Sequence, residues 1–182
     1  MSALAGLENK LNDVFVENKS LPALPVGAKK FIVAYLPWFS LIIGVLTLFA
    51  ALSLWHWAHV ANSLIDYANS VSAAYGGSQI ATTRMSALLW VGLVVLLLEA
   101  IIYIAAFPGT RAKLKSGWDL LFYGALINIV YGVLMVFTSY GGIFNLILDL
   151  VFAAIGLYFL FQIRASYKTK GAPAAPKAPE EK

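Results

Sequence analysis

Residues Met85–Phe107, MSALLWVGLVVLLLEAIIYIAAF, carry a single charged side chain, Glu99. At 1.5 Å per residue this run, wound as an α-helix, crosses the roughly 30 Å of hydrocarbon in a bilayer. Three more stretches have the same character: Phe31–Trp57, Trp118–Tyr140 and Ile143–Ile163. The whole chain agrees with them. It is 60% hydrophobic and 12% charged, with a mean hydropathy of +0.78, which exceeds the apolar content of an ordinary soluble domain. The expected fold is all-α and membrane-integral: an antiparallel four-helix transmembrane bundle with an N-terminal cytoplasmic amphipathic helix.

Charge sorting orients the bundle, because lysine and arginine in short segments beside a span are retained on the cytoplasmic side. Lys10, Lys19, Lys29 and Lys30 precede the first span; Arg111, Lys113 and Lys115 lie in the second loop; Arg164, Lys168, Lys170, Lys177 and Lys182 follow the fourth span. The first and third loops together hold only Arg84. Four spans with both termini cytoplasmic satisfy this alternation, and an odd number does not. The formal charge of +4 therefore reads as a membrane-surface signal, and Arg111, Lys113 and Lys115 are candidates for lipid head-group contact. No nucleic-acid partner is expected, since the basic residues line span ends instead of forming an aromatic-studded patch.

The organisation follows from the punctuation. Residues 1–25 hold an amphipathic helix and a proline hinge. Leu4, Leu7, Leu11, Val14 and Phe15 recur at helical spacing, opposite Glu8, Asn9, Asn12, Asp13 and Glu17. Because the polar face carries more acid than base, packing against protein suits it better than lying on anionic lipid. Leu21-Pro22-Ala23-Leu24-Pro25 cannot continue the helix. The acids and lysines throughout Met1–Lys30 are unlike a secretory signal, so the first span is expected to remain in the mature protein.

Residues 26–167 form the bundle, with an outer loop at 59–84. Within that loop Val60, Leu64, Ala68, Val71 and Tyr75 repeat at three and four. This predicts a helix that either lies on the membrane surface or extends the first span, ended by Gly76-Gly77. Phe107-Pro108-Gly109 reads as a helix stop, Ser116 with Asp119 as a capping signal, and Tyr140-Gly141-Gly142 as a tight turn. The tail, 168–182, is rich in Ala, Pro and charge and is expected to be disordered and cytoplasmic.

The candidate functional residues are the polar side chains at membrane depth. Glu99 and Asn128 lie roughly 12 and 15 Å from the cytoplasmic ends of antiparallel neighbouring spans, within reach of one hydrogen bond. Tyr103 shares the helical face of Glu99. Asn145 and Asp149 share a face near the outer end of the fourth span, with Ser53 at similar depth on the first. His56 and His59 are spaced as metal ligands on one helix face, with Asp66 as a third donor. They read better as an interfacial anchor among Trp55 and Trp57, so no metal is expected. Without cysteine there is no disulfide or thiol chemistry. No phosphate-binding glycine loop or serine nucleophile motif is present, so no cofactor and no enzymatic activity are expected.

Three segments carry a resemblance: Leu11-Asn12-Asp13 leading to Pro22-Ala23-Leu24-Pro25; Lys115-Ser116-Gly117-Trp118-Asp119-Leu120-Leu121-Phe122-Tyr123; and Tyr158-Phe159-Leu160-Phe161-Gln162-Ile163-Arg164. Together they resemble a group of small, uncharacterised four-span bacterial membrane proteins. The resemblance implies an inner (plasma) membrane location and no known activity, substrate or functional residue. The expected function is a non-enzymatic structural, scaffold or assembly component, oligomeric, whose partners are membrane lipids and either further copies of itself or another membrane protein. The alternative is a small ion or proton channel or transporter using Glu99, Asn128 and Asp149.

Overall fold

The computed structural model describes residues 3–18, 21–79, 87–136 and 142–169. Among these the chain forms five α-helices: α1 (Ala3–Asn12), α2 (Val26–Ala74), α3 (Ala87–Arg111), α4 (Lys115–Val136) and α5 (Ile143–Gln162). The last four are long and apolar enough to cross a membrane, and no strand occurs among the described residues.

The helices pack in chain order, α2 on α3, α3 on α4 and α4 on α5. Short connections impose antiparallel neighbours, and small residues let their backbones approach. The buried stripe of α2 is Val33, Pro37, Ser40, Gly44, Ala51 and Ala58. From Pro37 it repeats every seven residues, the period of a left-handed seam. A Cβ at Gly44 would sit 2.8 Å from Ile104 and 3.0 Å from Tyr103, so glycine sets the α2–α3 spacing. Gly124 lies under Ile102 and Tyr103, and Gly132 faces Asp149.

Several helix ends differ from their sequence reading. Of the two alternatives for the outer loop, the chain takes the extension: α2 runs unbroken for 49 residues, a length of roughly 73 Å. It closes where Gly76 adopts φ +73° and the Gly77 amide donates to the Ser72 carbonyl at 2.8 Å, a left-handed glycine cap. Residues 80–86 of the expected loop, including Arg84, lie outside the described residues.

Phe107-Pro108-Gly109 is not a stop, because α3 continues through Pro108 to Arg111. The missing proline amide costs only one hydrogen bond near the helix end. Reversal comes later, at Lys113 with φ +54°, where the Leu114 amide donates to the Gly109 carbonyl at 2.8 Å. Gly109 instead serves close approach: its Cβ would lie 2.7 Å from the Gly117 Cα, and a Cβ on Gly117 would collide with the backbone of Gly109 and Thr110.

Ser116 and Asp119 form no capping box either. Helix α4 starts at Lys115, and Asp119 pairs with Lys115 one turn back at 2.5 Å. Lys168, the first residue of the expected tail, is paired: its amide donates to the Lys113 carbonyl (2.9 Å) and its carbonyl accepts from the Lys115 amide (2.8 Å). Residues 170–182, and 137–141 of the third turn, lie outside the described residues.

The aromatic core gathers at the lysine-rich end. Trp118, Phe122, Leu160, Phe161 and Ile163 are buried there with Val33 and Ala106, and Leu11 and Phe15 from the N-terminal segment pack against them.

Candidate functional site

The lysine-rich end holds the densest polar network. Helix α1 runs into a π-helical turn, Asp13–Glu17, which shifts the face that the chain presents and is a common device at functional positions. Phe15 stacks on Phe161 with ring centroids 5.9 Å apart, while Leu4 and Val14 remain exposed. Glu8 receives Arg164 Nε at 2.9 Å and Nη2 at 2.6 Å, and Lys115 Nζ lies 3.1 Å from it. Arg164 Nη1 also donates to Asn12 Oδ1 at 3.2 Å. Burial opposes ionisation of Glu8, but the hydrogen bonds and charges of Arg164 and Lys115 outweigh it and hold its carboxyl below the usual carboxylate range.

Trp118 is the platform beneath this network. Fully buried, it donates Nε1–H to the Leu160 carbonyl at 2.8 Å, satisfying one of the orphan acceptors at the end of α5. The cations of Lys115 and Arg164 lie 5.4 and 5.7 Å from its ring centroid, in cation–π range. Gln162 joins both arms of the N-terminal segment, donating to the Phe15 carbonyl at 2.9 Å and accepting from the Leu24 amide at 3.3 Å. Tyr158 O–H donates to the Pro22 carbonyl at 2.5 Å. The proline hinge is thus clamped to α5. Tyr167 is buried, which pushes its phenol up to about 12, and its hydroxyl has no hydrogen-bond partner among the described residues.

This cluster absorbs part of the basic loop. Lys115 is ion-paired, Lys113 makes the reversal, and Arg111 stands over the rings of Trp38 and Phe107, 5.9 Å from each. Sequence reasoning missed Glu8, Arg164, Trp118, Gln162 and Tyr167 as a unit. The available signal was charge complementarity between an acid-rich amphipathic face and the basic ends of the spans.

Among the residues singled out at membrane depth, the structure brings together Glu99 and Asn128. Asn128 Nδ2 donates to Glu99 Oε1 at 3.1 Å, and Glu99 is buried. Tyr103, one turn along α3, lies over Gly124 with its ring 3.6 Å from that glycine's Cβ position. Tyr131 presents its hydroxyl to Gly92 on α3, where a Cβ would come within 2.6 Å of it.

Asn145 and Asp149 sit apart from this pair. With Tyr131, Gly132 and Phe152 they line a cleft of about 410 Å³ between α4 and α5, and both are exposed. Ser53 does not line it, because α5 packs on α4 while α2 packs on α3.

His56 and His59 stand in an aromatic cluster on α2. His59 Nδ1 lies 3.0 Å from the Trp55 carbonyl, and its ring contacts Trp55 and Trp90 at 4.6 and 6.2 Å. His56 lies beside Trp57, with centroids 6.3 Å apart. Among the described residues no group of three His, Cys, Asp or Glu is placed to hold a metal ion.

The described residues are helical, with four helices long and apolar enough to span a membrane and a polar network tying α1 to the Arg164 end of α5. Comparison with protein-family models, with curated proteins and with solved structures finds no match.

Proposed function

We propose that this chain is a non-enzymatic, multi-pass protein of the inner (plasma) membrane, with both termini cytoplasmic, that acts as an oligomeric scaffold or assembly component. The observation that carries this reading is the bare flank of α5. In its most apolar window 11% of residues are buried, against 22–28% in the other three long helices. On that helix Asp149 is exposed, with no hydrogen bond or ion pair to it among the described residues. It lies six residues into the helix, roughly 9 Å along its axis. A carboxylate at such depth in a bilayer, even in the α4–α5 cleft that Asp149 lines, costs about 2 kcal/mol or more, so a second protein surface covering α5 and supplying a donor is the economical solution.

The test is the mass of the purified protein in nanodiscs, with lipid subtracted. A defined oligomer is expected, and Asp149→Leu should shift it toward smaller assemblies. A monomeric wild type would overturn the reading.

A second reading, a small proton or ion channel or transporter, draws support from the order of polar groups along α4. Asn128 holds Glu99, and Tyr131 and Gly132, one turn on, line the Asp149 cleft. It predicts that Glu99→Gln changes proton or ion flux in liposomes. Flux from the wild type equal to that of empty vesicles would sink it.

A further inference from the structure

We infer that the lysine-rich end of the bundle is a binding site for one anionic phospholipid, with its phosphate in a pocket headed by Lys29 and an acyl chain in the groove between α2 and α5. This goes beyond the scaffold reading and does not depend on it.

The polar part is a pocket of about 320 Å³ lined by Lys29, Asn12, Lys115, Gln162, Arg164 and Tyr167 among others. Three of these are cations. Glu8 engages Lys115 and Arg164, and Asp119 engages Lys115 again. No carboxylate pairs with the half-buried Lys29 among the described residues. Tyr167, 6% exposed, adds a hydroxyl without a partner. An unneutralised ammonium at the edge of a membrane-spanning bundle suits a phosphate diester, which offers charge and acceptor oxygens and brings no proton donor of its own.

The apolar part continues from the same helix face. Lys29, Ile32, Leu36 and Ile43 follow one another at spacings of three, four and seven. The last three line a groove of about 270 Å³ whose other wall is Gly156, Phe159 and Leu160 of α5. From Ile32 to Ile43 the helix rises roughly 16 Å, close to half of the roughly 30 Å hydrocarbon thickness. The groove therefore has the length of one leaflet's acyl chain, and Lys29, in the polar pocket, stands about one helical turn before its first residue, Ile32. Gly156 is part of this design, since a Cβ there would meet nothing within 4 Å. It leaves the groove open instead of serving helix contact.

The experiment is native mass spectrometry of the full chain released from nanodiscs of equimolar phosphatidylglycerol and phosphatidylcholine, for the wild type, Lys29→Gln and Gly156→Leu. The wild type should retain one phosphatidylglycerol per chain with a preference of about fivefold, the effect of one lysine at an anionic head group. Lys29→Gln should retain lipid but lose the preference. Gly156→Leu, whose side chain enters open space, should lose the retained lipid with unchanged oligomer mass. Equal retention of the two lipids by the wild type overturns the proposal. So does a Gly156→Leu protein that keeps its lipid, or one that changes oligomer mass while lipid retention stays constant, which would make the groove a protein interface. Soluble glycerol phosphate added to the wild type should not displace the lipid; complete displacement would assign the pocket to a free phosphate instead.

Discussion

Glu8 and Arg164 stand 156 positions apart in the chain and meet through the Arg164 Nη2 contact at 2.6 Å, with Nε at 2.9 Å on the same oxygen. This pair fastens the amphipathic helix α1 to the end of α5. Its apolar neighbours, Phe15 against Phe161, supply packing, while Gln162 and Tyr158 fix the backbone that follows. The N-terminal segment is therefore held by directional polar contacts as much as by its apolar stripe, of which Leu4 and Val14 stay uncovered.

Glu8→Gln should loosen α1 without unfolding the bundle. Charge-assisted hydrogen bonds contribute about 1–2 kcal/mol when partly exposed, so amide exchange across residues 3–17 should accelerate about tenfold, with α3 and α4 unchanged. The pH dependence has a definite sign. Glu8 ionises below the usual carboxylate range when docked, so its stabilisation is full above the unfolded carboxylate value near 4.3 and is lost as pH falls through the docked value. Exchange protection of α1 should therefore fade on acidification in the wild type and stay flat in Glu8→Gln. A parallel decline in both proteins would remove Glu8 from the docking.

Gly117→Ala should damage the α3–α4 turn, and Gly156→Ala should not. At Gly117 the added methyl meets the backbone of Gly109 and Thr110, which cannot rotate away, whereas at Gly156 it meets nothing within 4 Å. Overpacking against backbone costs about 3 kcal/mol. A thermal melt followed by size-exclusion chromatography in detergent should show a lower midpoint for Gly117→Ala alone. Equal midpoints for the two variants would mean that the turn relaxes more readily than the glycine contacts imply.

Trp118→Phe should destabilise the lysine-rich end through one hydrogen bond more than through volume. The indole N–H serves the Leu160 carbonyl at 2.8 Å, and leaving that buried acceptor unmet costs about 1–3 kcal/mol. Urea or SDS titration of Trp118→Phe should give a lower midpoint, with exchange accelerating first at the amides near Leu160. Unchanged stability would make the ring, and not its N–H, the important part.

The coupling between Glu99 and Asn128 is measurable by a double-mutant cycle of Glu99→Gln and Asn128→Leu in SDS unfolding. Interhelical hydrogen bonds in membranes average about 0.6 kcal/mol and reach about 1.7, and a pair at 3.1 Å around a buried carboxyl should fall in the upper half. Additive single effects would make the two residues independent.

Much of this architecture was legible in the amino-acid sequence, because the properties involved are local or follow from rise per residue. The four apolar runs follow from length and hydropathy alone. The meeting of Glu99 and Asn128 follows from similar depth on antiparallel neighbours, since a helix turns sequence position into height. The amphipathic stripe of residues 4–15 and its acid-rich face likewise pointed to packing against protein.

Tertiary structure decided the rest, wherever the outcome depended on contacts between distant segments. Proline at 108 reads as a stop, yet the close approach of Gly109 to Gly117 and the reversal at Lys113 carry the helix past it. Arg164 and Lys115 read as topology charges, and only the fold gives them Glu8 as a common partner. Gly156 is indistinguishable in sequence from the glycines that bring helices together, but it faces an open groove because α5 packs on α4 and leaves α2 at a distance. Periodicity fixes which residues share a face of one helix; which neighbour that face meets is set by packing across the whole bundle.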